Sequence, residues 1–134
     1  MKTKIIFFTA LVIITGVFIS MKTMSTKIDG PHGGRIQSAD KFNIETKMVF
    51  PHLYAYLLNE KNIPISNKGL TCNIEFFFLD NNTQTLLPLK PEGADGFSIE
   101  TNATDYSSYR ITFVAFGKTI STKFENENVL VKGN

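Results

Sequence analysis

Apolar and polar positions alternate along this chain in short runs, and the clearest run spans residues 70–79, Leu-Thr-Cys-Asn-Ile-Glu-Phe-Phe-Phe-Leu. Leu70, Cys72, Ile74, Phe76 and Phe78 share one parity, while Thr71, Asn73 and Glu75 share the other. Side chains alternate across a strand, so the pattern predicts a strand with one buried face. Phe77 and Leu79 interrupt the polar face, which predicts cover on both sides at the end of that strand.

Similar runs flank it. Arg35–Ala39 can form a short first strand. Phe42, Ile44, Met48 and Phe50 then alternate with Asn43, Glu45 and Lys47 as a half-buried strand, until Pro51 removes a ladder donor. His52–Leu58 is apolar on both faces and reads as an internal strand. Residues 84–89 carry Pro88 and belong at a sheet edge. Residues 91–96 read as a turn and 97–101 as a short strand. Tyr109, Ile111, Phe113 and Ala115 alternate with Arg110 and Thr112, and residues 119–124 close the series. A polar turn at 80–83 and a two-residue Gly117-Lys118 turn of type II′ join hairpins. Short strands at this spacing, with no helical period, predict an all-β fold. Its size fits an immunoglobulin-like β-sandwich of about seven or eight short antiparallel strands.

The N-terminus breaks the pattern. A basic Met1-Lys-Thr-Lys4 precedes an apolar run over residues 5–19, and small residues occur at Thr23 and Ser25. This is the layout of a secretory signal peptide. As a helix the run covers ~22 Å, short of a hydrocarbon core of ~30 Å. Residues 1–25 are therefore read as a signal peptide or an N-terminal membrane anchor. Residues 26–34 form a Gly/Pro-rich lead-in, 35–125 the sandwich, and 126–134 a C-terminal tail. Either reading of the N-terminus exports the rest of the chain. The short Lys- and Ile-rich signal looks bacterial, so the expected location is the periplasm, free or anchored.

Charge changes little. The formal net charge is +2, but removing Lys2, Lys4 and Lys22 leaves 11 basic against 12 acidic residues, a net of −1. Nucleic-acid binding needs a concentrated basic face, and none is implied. Contact with a membrane is expected only through residues 1–25, if that segment is left uncleaved.

Candidate chemistry is sparse. Cys72 is the sole cysteine and has the parity of the core, so an inert buried thiol is expected. No G-x-S-x-G and no phosphate-cradling loop occurs, and the carboxylates are scattered, so the chain is read as non-enzymatic. Two histidines remain. His32 lies between Pro31 and Gly33-Gly34, where an exposed imidazole and free amides are expected. His52 starts a strand, at one end of the sandwich. If the lead-in folds to that end, the two could share a transition metal such as copper or another divalent cation with a carboxylate or Met48. The alternative is a tight turn with a solvated histidine. The function read first is an exported, non-enzymatic accessory domain that handles transition-metal ions; the alternative is a protein–protein interaction module of the cell envelope with no metal site, docking through Phe77, Leu79 or an edge strand.

A further set of residues carries a resemblance: His32-Gly-Gly34, Tyr54-Ala-Tyr-Leu-Leu58, Ile63-Pro-Ile65, Lys68-Gly-Leu-Thr71, Leu87-Pro-Leu-Lys-Pro91, Gly93, Phe97 and Tyr109-Arg-Ile-Thr-Phe113, then Gly117-Lys118 and Lys123-Phe124. The layout resembles small exported Bacteroidetes β-sandwich proteins and domains associated with heavy-metal (copper/cation) efflux systems. The likeness spans roughly residues 32–125. It implies a periplasmic accessory domain, envelope efflux components as partners, and His32 as a metal ligand.

Overall fold

The computed structural model describes residues 29–80 and 86–126. Residues 1–25, read above as a signal peptide or anchor, residues 81–83 of the expected polar turn and most of the tail lie outside the described residues. Among the described residues nine strands form: β1 Arg35–Ala39, β2 Phe42–Val49, β3 His52–Leu58, β4 Thr71–Phe78, β5 Leu87–Pro88, β6 Lys90–Glu92, β7 Gly96–Glu100, β8 Tyr106–Ala115 and β9 Lys118–Glu125. All pairings are antiparallel. They build a five-stranded sheet ordered β1-β2-β3-β7-β6 and a four-stranded sheet ordered β5-β4-β8-β9. Among the described residues, no helix is long and apolar enough to cross a membrane.

The alternating pattern decides which face each strand buries. Cys72, Ile74 and Phe76 of β4 meet Ile111 and Phe113 of β8 and Ile44, Leu53 and Leu57 of the other sheet in one core. Burying each large side chain contributes roughly 1.5–3 kcal/mol. Phe97 of β7 and Phe113 of β8 join the two layers edge to face, with centroids 5.7 Å apart. Arg35 closes one side of the sandwich. It stacks over Phe124 at 5.5 Å and donates to the Glu125 carbonyl at 2.8 Å and the Tyr109 hydroxyl at 3.3 Å.

Several expectations change. Of the strand expected over residues 84–89, 84 and 85 lie outside the described residues and β5 takes Leu87 and Pro88, after which the chain crosses to the other sheet. There Lys90–Glu92 pairs with β7, where a turn was expected. All three β6 residues are exposed, so no apolar period marks the strand. β8 starts at Tyr106, three residues early. The last hairpin turns on Phe116-Gly117 rather than Gly117-Lys118, because Lys118 pairs with Ala115. Phe116 and Gly117 have φ of 54° and 71°, the two positive values of a type I′ turn rather than the one of type II′. Cover at the end of β4 is partial. Phe77 lies under Arg110 and Lys123, at 5.4 and 5.0 Å, but Leu79 is 62% exposed.

Candidate functional site

The glycine-rich lead-in is where polar side chains converge. Glu45, Tyr56 and Gly96 are aligned across β2, β3 and β7 on the outer face of the five-stranded sheet. That face was expected to meet solvent at Glu45. Instead the turn at residues 30–34 folds over it, and Glu45 is fully buried. A buried carboxylate is costly unless its oxygens are bonded. Here Oε2 accepts from the His32 amide at 2.9 Å and the Gly34 amide at 2.8 Å, and Oε1 faces His32 Nδ1 at 2.7 Å. The other ring nitrogen, Nε2, faces Asp95 Oδ2 at 2.8 Å. The ring lies flat on Tyr56, with centroids 3.6 Å apart and planes 6° apart.

The glycines make this approach possible. A Cβ on Gly34 would strike the Thr46 carbonyl oxygen, and one on Gly30 would occupy the Glu45 carboxylate. A Cβ on Gly96 would come within 2.6 Å of the Tyr56 ring. The lead-in is thus a fitted cover.

Carboxylates only accept, so two short contacts from one imidazole need both nitrogens to carry hydrogen. Burial alone would lower the His32 pKa. The hydrogen bonds to Glu45 and Asp95, with the charges of both, outweigh it, and the pKa is raised above 6.5. Tyr56 is also raised, by burial first and then by the charges of Asp95 and Glu45.

The two histidines named from sequence are not brought together. His32 stacks on Tyr56, four residues along β3 from His52, a separation of roughly 13 Å at strand rise. The lead-in covers the opposite end of β3 from the one a shared site requires. His52 is exposed, pairs with Val49 and Glu100, and tilts toward Tyr54 with centroids 6.3 Å apart. Both of the nitrogens with which His32 could bind a metal face carboxylate oxygens, and its amide and that of Gly34 are engaged rather than free. Among the described residues, no group of three or more His, Cys, Asp or Glu is arranged to hold a metal ion. In this arrangement His32 clamps Glu45 to Asp95 through its two ring nitrogens. Cys72 is 2% exposed, and burial pushes its thiol pKa well up. A cleft of about 380 Å³ beside the lead-in is lined by Asp29, Arg35, Lys47 and Tyr109 among others, and holds no histidine or cysteine.

Glu45, Tyr56 and Asp95 were not singled out from sequence. Glu45 has the parity of a solvent-facing residue, and Asp95 sits in a turn. The density of glycine before β1 was the one sign that backbone had to come close to something.

No family model matches the chain. Neither a curated protein nor a solved structure matches it.

Proposed function

We propose that this chain is an exported, non-enzymatic β-sandwich that serves as a protein–protein interaction module of the cell envelope. We also infer an immunoglobulin-like sandwich. The strand orders β2-β3-β7-β6 and β5-β4-β8-β9 support that reading, since they follow the A-B-E-D and C′-C-F-G arrangement with β1 as an added edge strand.

The observation that carries the interaction reading is the tip of the β2–β3 hairpin. Val49 pairs with His52, so Phe50 and Pro51 form the turn. Turns of this length ordinarily use Gly, Asn or Asp. Here the tip presents Met48, Val49 and Phe50, which are 39%, 51% and 60% exposed. The Thr101 amide donates to the Pro51 carbonyl at 2.7 Å and fixes the tip to the strand end beside it. A held, contiguous apolar tip has no role in the core and suits a partner. Envelope efflux components, which the resemblance implies, are the partners to try first. The competing expectation, a metal held through His32, would require the ring to leave both carboxylates.

A photo-crosslinking residue placed at position 50 in cells that make the protein tests this. Position 121, on the outer face of β9, is the control. A discrete adduct at 50, absent at 121 and insensitive to chelator, is the expected result. Equal labelling at both positions, or none at 50, would defeat it. Titrating the purified chain with Cu(II), Cu(I), Ni(II) and Zn(II) beside His32→Ala separates the metal reading. Binding lost in that variant would favour it over the module.

A further inference from the structure

The lead-in turn is tied to three strands of one sheet. Asp29 bridges Arg35 of β1. The amides of His32 and Gly34 hold the β2 residue Glu45, and the His32 ring reaches β3 at Tyr56 and the turn before β7 at Asp95. The ring is what extends the cover beyond β2, and its two contacts differ. Glu45 is fully buried and fixed by two amides, whereas the Asp95 side chain is 30% exposed and can turn to water.

We propose that His32 is a pH-responsive latch. With both ring nitrogens protonated it pins the lead-in across the sheet, and when Nε2 loses its proton it releases Asp95 and loosens the lead-in. The proton leaves Nε2 for water, Nδ1–H continues to donate to Glu45, and a nitrogen lone pair is left facing the Asp95 carboxylate. The ring is faced by Glu45 from β2, Tyr56 from β3 and Asp95 from the β6–β7 turn. Lys47 of β2 approaches the Gly33 side of the lead-in, and Asp29 and Arg35 stand at its two ends. Tyr54 and Glu92 bear on Tyr56. Tyr56 holds its own proton more firmly than usual, so it is not the group that switches. The latch thus sets how firmly residues 29–34 are fixed on the sheet. This inference stands whether or not the hairpin tip docks a partner.

The test is amide hydrogen exchange by NMR on the full chain in detergent micelles, with rates corrected for the intrinsic pH dependence. In the unmodified protein, Gly34 protection should fall roughly tenfold between pH 6 and pH 9, the scale of one lost charge-assisted hydrogen bond, while Ile74 in β4 keeps its protection. Asp95→Asn should abolish the fall and stay protected at pH 9. The new amide can donate to a neutral Nε2 while Nδ1–H still donates to Glu45. His32→Gln should lower Gly34 protection at every pH and remove the step. Gly34 protection that ignores pH in the unmodified protein would overturn the proposal. So would a pH step that survives in both variants.

Discussion

His32 and His52 invite comparison, because the same residue types surround both. Each stands beside a tyrosine of β3, and each has a carboxylate-bearing residue on a neighbouring strand or turn. Yet His32 lies flat on Tyr56 at 3.6 Å with both nitrogens engaged, while His52 sits exposed and tilted at 6.3 Å from Tyr54. The difference is a cover of five residues. Where the lead-in crosses the sheet, a carboxylate is buried and an imidazole becomes part of the fold. Where the sheet is bare, the same chemistry remains surface. A histidine's role here is set by what excludes water from its partner, not by its neighbours in sequence.

The sharpest way to break that contrast is to remove the buried acceptor. Glu45→Ala leaves two amides and a ring nitrogen without their partner under the cover, and should cost about 3 kcal/mol in chemical unfolding. A cost near zero would mean that the cover is not held by this carboxylate.

Stability should also depend on pH through His32. Its folded pKa is raised above the unfolded value of ~6.5. The proton is therefore held more tightly in the folded state. The contribution to stability is fully present below ~6.5 and is lost as pH rises through the folded pKa. Unfolding midpoints followed from pH 6 to pH 9 should decline more in the unmodified protein than in His32→Gln. Parallel curves would contradict the assignment.

The smallest effect is expected at the other histidine. His52→Ala is an exposed substitution at a strand end and should change stability by no more than about 0.5 kcal/mol. A larger loss would show that the bare end of β3 carries structure of its own.

Much of the frame was legible because parity and burial coincide where both sides of a strand have an unambiguous environment. Cys72, Ile74 and Phe76 were readable as inward, and β3 as internal, from residue type alone. The reading failed where a third layer or a change of sheet intervenes. Glu45 alternates with Ile44 as a surface residue should, but the layer that buries it comes from 11–15 residues earlier in the chain. Lys90–Glu92 is a strand made by backbone pairing alone, with no side chain to bury. Leu89 is the reason that the chain crosses there. Its amide still bonds the Cys72 carbonyl at 2.9 Å, and its side chain is in the core, so the next residue is already on the far side. Phe116 takes a left-handed φ in a turn, which residue type argues against, and its ring stacks on Phe42 at 5.9 Å. The site was the least legible part, since His32 looked free in one dimension and only folding places Tyr56, Glu45 and Asp95 around it.

The most direct test of this account is the protonation of the His32 ring, read by nitrogen NMR on the ring-labelled full chain as pH is raised. The account predicts that both ring nitrogens still carry protons at a pH above 6.5, and that Asp95→Asn lowers the pH at which the first is lost. A His32 ring that gives up its proton at or below 6.5 in the unmodified protein would contradict the clamp, and the lead-in would then be held by its backbone contacts alone.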